Sequence, residues 1–137
     1  MGACDLTLAE WAIFAAVMLY LLTLAPIKAA GAREFDNGDP RDEAFYARPL
    51  RKRAYAAHNN GIETFPFFAA AVLLAEFRHA PQAWIDGLAA AFLVARLGYI
   101  LAYVGDKPTL RSAIWALGFL INIAIFFLPV LARIGRG

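Results

Sequence analysis

Three residues in the first half of the chain have types and spacing suited to chemistry. At about 100° per helical residue, the seven positions from Arg53 to Asn60 bring them within about 20° of each other, and Glu63 lies about 60° beyond Asn60. They form one polar stripe, with His58 well off it. A second stripe is Arg96, Tyr99 and Tyr103, spaced three and four apart and so on one helix face. Arg111 follows at the start of the next apolar block. Guanidinium groups take carboxylates, bidentately where geometry permits, and Glu63 could take an amine. Together the set suits a small polar molecule bearing both carboxylates and an amine. The same residues also support a structural reading, in which Glu63 pairs with Arg96 or Arg53 and glues helices together. Tyr99 and Tyr103 would then be aromatic-belt residues at a membrane interface.

The elements that must position these residues are set by hydropathy. The chain has 137 residues, 61% of them hydrophobic, where a soluble domain is about 45–50% apolar. The excess falls in four blocks, roughly 8–27, 50–77, 81–104 and 109–132. Each is about the 20 residues needed to span a hydrocarbon core. The expected fold class is all-α: an integral membrane four-helix bundle, antiparallel and up-down, forming a single domain over 1–137. Thr7 and Glu10 have capping-box spacing at the start of the first block, and Pro26 and Lys28 mark its end. No Lys or Arg precedes Lys28, and Asp5 and Glu10 are acidic, so this block reads as a retained helix rather than a signal peptide. Residues 28–52 read as an extramembrane loop. Pro81 suits a first helical turn, and Gly105, Asp106 and Pro108 form a short turn.

Orientation follows from basic residues in the loops. Lys28, Arg33, Arg41, Arg48, Arg51, Lys52 and Arg53 flank or fill the first loop, and Lys107 and Arg111 the third, against Arg78, Arg133 and Arg136 opposite. Loops 28–52 and 105–108 are therefore expected in the cytoplasm, with a bacterial inner membrane as the expected location.

Other candidates are weaker. Asn122 lies mid-block and is expected to hydrogen-bond a neighbouring helix. His58 reads as a polar packing residue. No metal-spaced His/Cys cluster, phosphate-binding glycine loop or nucleophile elbow occurs. Cys4 is the single cysteine and lacks a basic neighbour. A formal charge of +2 gives no ground for a nucleic-acid partner.

The segment from Arg53 to Phe68, RAYAAHNNGIETFPFF, resembles the second-helix signature of the MAPEG family, the membrane-associated proteins in eicosanoid and glutathione metabolism. In that signature Asn is followed three residues later by Glu, then by Pro and aromatics. Arg96, Tyr99 and Tyr103 resemble the Arg-x-x-Tyr-x-x-x-Tyr pattern of its third helix. The resemblance implies a microsomal glutathione transferase-like homotrimer with glutathione as co-substrate, held between adjacent subunits. It implies that Asn60 and Glu63 bind the peptide and that Tyr99 and Tyr103 line the pocket. Arg96 and Lys28 would contact carboxylates, with Arg53 beside them. Arg111 would stand near the thiol and favour the thiolate nucleophile. The other partners implied are membrane lipid and a hydrophobic small-molecule substrate. The sequence departs from the family at Ala56, where glutathione-using members carry Arg, and at Thr64, where some eicosanoid members carry Tyr. The family also includes a non-enzymatic lipid-binding member, so a second function class is a non-catalytic lipid-binding or scaffold protein.

Overall fold

The computed structural model describes residues 5–135, and Cys4 and Arg136 lie outside them. Four α-helices carry the chain: α1 (Leu8–Ala30), α2 (Pro49–Phe77), α3 (Gln82–Val104) and α4 (Pro108–Ile134). No strand occurs among the described residues. α1 starts on the expected capping box. Thr7 Oγ1 accepts from the Glu10 N–H at 3.1 Å, and Glu10 Oε2 accepts from the Thr7 N–H at 2.8 Å. Its end differs from expectation, because the helix passes through Pro26 and Lys28 to Ala30. Proline removes one donor but keeps a helical φ, and Ile27 beyond it packs on the Leu24–Phe45–Tyr46 cluster. The stop comes at Gly31, whose N–H returns to the Ile27 carbonyl at 3.1 Å.

Hydrogen bonds at both ends fix an antiparallel arrangement. At one end Arg53, near the start of α2, donates to the Val104 carbonyl that closes α3. At the other, Thr7 Oγ1, before α1, donates to Glu76 Oε1 near the end of α2 at 2.8 Å. Length and composition qualify α1, α3 and α4 as membrane spans. α2 falls short in hydropathy because of its polar first half. It has 29 residues, about 43 Å at 1.5 Å per residue, and runs between the same two ends as its neighbours. It therefore crosses with them.

The core is built from small residues facing large ones. Ala9, Ala12 and Ala16 of α1 and Ala71 and Ala75 of α2 let the backbones approach, as small residues do in membrane bundles. Phe68 and Phe92 stack between α2 and α3 with centroids 4.2 Å apart. Large apolar residues such as Leu22, Val94, Leu120 and Val130 stay exposed, which suits a lipid solvent.

The expected loop is ordered rather than loose. It spans residues 31–48 and ends in a 3-10 turn at Phe45–Ala47. Glu34 pairs with Arg51 at 2.7 Å and Arg48 at 3.0 Å, and Tyr46 stacks on Tyr55 with centroids 4.2 Å apart. A Cβ at Gly31 would sit 2.7 Å from Arg51 Nη2 and 2.8 Å from the Phe45 ring, so a larger residue there would have to push one of these side chains aside.

Candidate functional site

α3 presents Arg96, Tyr99 and Tyr103 on successive turns, and α4 brings Arg111 beside them. The Arg96 guanidinium lies 4.2 Å from the Tyr99 ring centroid, and Tyr99 meets Tyr103 edge-on at 5.6 Å. The Arg111 guanidinium lies 4.3 Å from the Tyr103 centroid. The four side chains form a ladder with a cation at each end. Stacking occupies the flat face of a guanidinium and leaves its N–H edge available for oxygen acceptors.

Asn60, from α2, closes this ladder: Arg96 Nη2 donates to Asn60 Oδ1 at 3.0 Å. Arg96 is 3% exposed, and its Nε has no hydrogen-bond partner. Among the described residues the ion pairs are Arg48–Glu34, Arg51–Glu34 and Arg53–Asp106, so neither Arg96 nor Arg111 has an acidic partner. A buried arginine at membrane depth without a counter-charge is costly and marks a place where an anion is wanted. Glu63, by contrast, is exposed on the single chain and forms no ion pair with Arg96 or Arg53. The structural pairing considered for it is therefore not made within this chain.

Two adjoining cavities between α2, α3 and α4 share Asn60 and Trp115. The outer one, about 260 Å³, is lined by Asn60, Tyr99, Tyr103, Arg111, Ser112 and Trp115. The inner one, about 290 Å³, takes in Glu63, Thr64 and Arg96 and continues past Phe67, Phe92 and Phe119 to Asn122. The structure thus gathers Asn60, Glu63, Arg96, Tyr99, Tyr103 and Arg111. Two sequence candidates stand apart from these cavities. Lys28 Nζ lies 4.7 Å from the Phe35 ring centroid in the loop. Arg53 donates from Nε to the Val104 carbonyl at 3.2 Å and approaches Asp106 at 3.8 Å, closing the end of α3.

His58 acts as a packing residue: its Nδ1–H donates to the Tyr20 carbonyl at 2.8 Å. No group of metal-ligating side chains occurs among the described residues. Asn122 departs from expectation, because its Oδ1 is buried with no hydrogen-bond partner and the side chain lines the inner cavity. The walls that face it there include Phe67 and Phe92, which offer no donor.

Sequence reasoning missed Trp115, Gly118 and the cavity role of Asn122. Arg111, Trp115, Gly118 and Asn122 follow one another at spacings of four, three and four, so extending the Arg111 stripe along α4 would have found them. Tyr20 was also missed. It is fully buried, and Arg96 lies 5.9 Å from its ring centroid. A Cβ at Gly61 would overlap the Tyr20 ring, so the missing side chain is what lets α1 approach α2 behind the site.

An antiparallel bundle of membrane-length helices, with a buried arginine and two cavities between three of them, defines an integral membrane protein. Residues 8–131 match the sequence model of the MAPEG family, and the chain belongs to that family. Searches of curated proteins and of solved structures found no match.

Proposed function

We propose that this protein is a membrane-bound glutathione-dependent transferase or peroxidase acting on lipophilic electrophiles. The observation that carries the reading is Arg96: buried, hydrogen-bonded to Asn60, unpaired at Nε, and without an acidic partner. A tripeptide with two carboxylates and one amine matches what surrounds it. Arg96 receives a carboxylate, Glu63 the amine, Asn60 the peptide, and Tyr99 and Tyr103 form the wall. Arg111, at the mouth, holds the sulfur as thiolate. That thiolate forms the S–C bond to an electrophilic carbon while the leaving group departs with its electron pair, or it attacks the terminal oxygen of a lipid hydroperoxide, forming an S–O bond as the O–O bond breaks and the alkoxide leaves to be protonated to the alcohol, after which a second glutathione converts the sulfenic acid to the disulfide and water. The lipophilic partner arrives through the bilayer.

The reading extends to a homotrimer with glutathione between subunits. Two features support it: Glu63 is exposed on the single chain at membrane depth, and Lys28 lies away from the cavities it would serve. Loops 28–52 and 105–108 are assigned to the cytoplasm of a bacterial inner membrane on the basic residues they carry. One observation favours the alternative, a non-catalytic lipid-binding or scaffold protein. Ala56 stands where glutathione-using relatives have Arg, and Arg53, one turn away, is engaged at the end of α3.

The experiment is equilibrium binding of glutathione to the purified protein in detergent, with Arg96→Leu and Glu63→Gln alongside. Millimolar or tighter binding that both variants weaken supports the reading. No binding at millimolar glutathione rejects it in favour of the lipid-binding class.

A further inference from the structure

The end of the bundle opposite the Arg96–Arg111 ladder separates its charges. Glu76 and Asp86 are engaged between α1, α2 and α3. Glu76 Oε1 accepts from Thr7 Oγ1 and from Gln82 Nε2, each at 2.8 Å. Asp86 Oδ1 accepts from the Ala9 N–H at 2.9 Å and from Gln82 Nε2 at 3.0 Å. The arginines of this end lie on another side. Arg78, just after α2, and Arg133, near the end of α4, line one cleft of about 330 Å³ together with His79. Neither arginine has an ion pair among the described residues. His79 has φ 53°, in the left-handed region, at the position where the Schellman turn that closes a helix usually carries glycine. Its N–H returns to the Glu76 carbonyl at 2.9 Å, and that of Ala80 to the Ala75 carbonyl at 3.0 Å. A backbone position that favours glycine thus carries an imidazole, and that residue lines the cleft. An apolar groove of about 450 Å³ continues from the cleft at Ala132, with Pro81 and Trp84 at the start of α3 on one side and Leu128 and Leu131 of α4 on the other.

We propose that cleft and groove together hold one anionic phospholipid of the leaflet opposite the ladder. Arg78, His79 and Arg133 take the oxygens of its phosphate diester, and an acyl chain lies between Trp84 and Leu131. Depth and chemistry agree. The cleft lies at the helix ends, where headgroups sit, and the exposed Trp84 beside it is placed as an interfacial aromatic. Phosphate oxygens match the N–H fork of arginine. Two cations on one cleft without a counter-charge attract an anion, and basic pockets between membrane helices suit anionic headgroups. No carboxylate lines the cleft, so nothing there would receive the ammonium of a zwitterionic headgroup. Selection is therefore for lipids whose only headgroup charge is the phosphate.

The tryptophans are Trp11, Trp84 and Trp115, so Trp11→Phe with Trp115→Phe leaves Trp84 as the only reporter. The full chain with these two replacements is reconstituted in phosphatidylcholine vesicles. Phosphatidylglycerol or phosphatidylcholine with brominated chains is then mixed in, and quenching of Trp84 gives the affinity of each lipid relative to the bulk. Phosphatidylglycerol is expected to be favoured about fivefold, the effect of one charge held near a basic site. Arg78→Gln with Arg133→Gln should bring that preference below about twofold. His79→Gly should lower it as well, while holding or raising thermal stability, because glycine suits that backbone. Arg41→Gln with Lys107→Gln, which removes two exposed cations at the far end, should leave it unchanged. Equal quenching by the two lipids overturns the proposal. So does a preference that survives the arginine replacements or His79→Gly, or one that the far-end replacements lower as much, which would reflect net charge alone. A preference abolished by inorganic phosphate, at an ionic strength where chloride leaves it intact, would make the cleft a site for the free anion and also overturn the lipid assignment. None of these readouts involves glutathione, so this inference and the glutathione reading stand or fall separately.

Discussion

Asn60 on α2 and Arg96 on α3 are joined by a 3.0 Å hydrogen bond, and this contact leaves the arginine charge unneutralised. A neutral amide orients a guanidinium without cancelling it. The bundle thereby keeps a cation buried among Tyr20, Tyr99 and Asn60, facing a cavity.

Replacing Arg96 by leucine should therefore weaken glutathione binding by more than about tenfold, the loss of a charge-assisted hydrogen bond. Assembly in detergent should persist, because Arg96 supplies no ion pair to the helix packing. Calorimetry with size-exclusion chromatography reads both. A variant that falls apart while the remaining folded fraction binds normally would make Arg96 a packing residue instead.

Glu63→Gln separates ligand from glue in the opposite direction. The exposed carboxylate has no ion pair within the chain, so thermal stability of the assembly should change little, while glutathione affinity falls by roughly tenfold. Lowered stability with unchanged affinity would assign Glu63 to subunit contacts.

Arg111→Ala tests the thiolate. The cation lowers the thiol pKa of a bound glutathione, so its removal should raise that pKa and move the pH–rate profile to higher pH. Turnover near neutrality should drop by roughly a hundredfold. An unshifted profile would place Arg111 outside the reacting centre.

Gly61→Ala should destabilise the bundle by about 1–3 kcal/mol, because the new methyl meets the fully buried ring of Tyr20. Tyr20→Phe should cost less, since the Tyr20 hydroxyl makes no well-formed hydrogen bond and only approaches Thr64 and Arg96. Thermal unfolding in one detergent compares the two variants. A large loss from Tyr20→Phe with none from Gly61→Ala would contradict this packing.

The ordered loop should respond to acid. The Arg51 hydrogen bond, with the Arg48 charge adding to it, holds the Glu34 carboxyl below the usual carboxylate range. A depressed folded pKa means that the contribution is whole above the ordinary carboxylate pKa and is lost as pH falls through the folded value. Protection of the amides in residues 31–48, corrected for the intrinsic exchange rate at each pH, should fall in the wild type between about pH 4.5 and about pH 3. Glu34→Gln should exchange fast across that whole window. Because Glu34 is half-exposed, the effect should stay local to the loop.

The sequence by itself determined the number of helices, their order and most of their limits. The reason is that hydropathy and capping act locally: apolar blocks of spanning length must be helical in lipid, and Thr7 and Glu10 are close enough in the chain to cap each other. Stripe spacing also grouped Arg53 with Asn60, and Arg96 with Tyr99 and Tyr103, because residues three, four and seven apart share a helix face wherever the helix goes. Other features required the tertiary structure. Arg53 belongs to the same stripe as Asn60, yet it closes the end of α3, because helix ends offer unpaired carbonyls that only packing brings within reach. Arg51, one of many loop cations in the sequence, is buried under Glu34 and Phe45. Asn122 could have bonded a neighbouring helix. That the side chain lines a cavity with aromatic walls, and its buried oxygen finds no donor, depends on which faces of α2 and α3 turn toward α4, a relation between segments that no local pattern encodes.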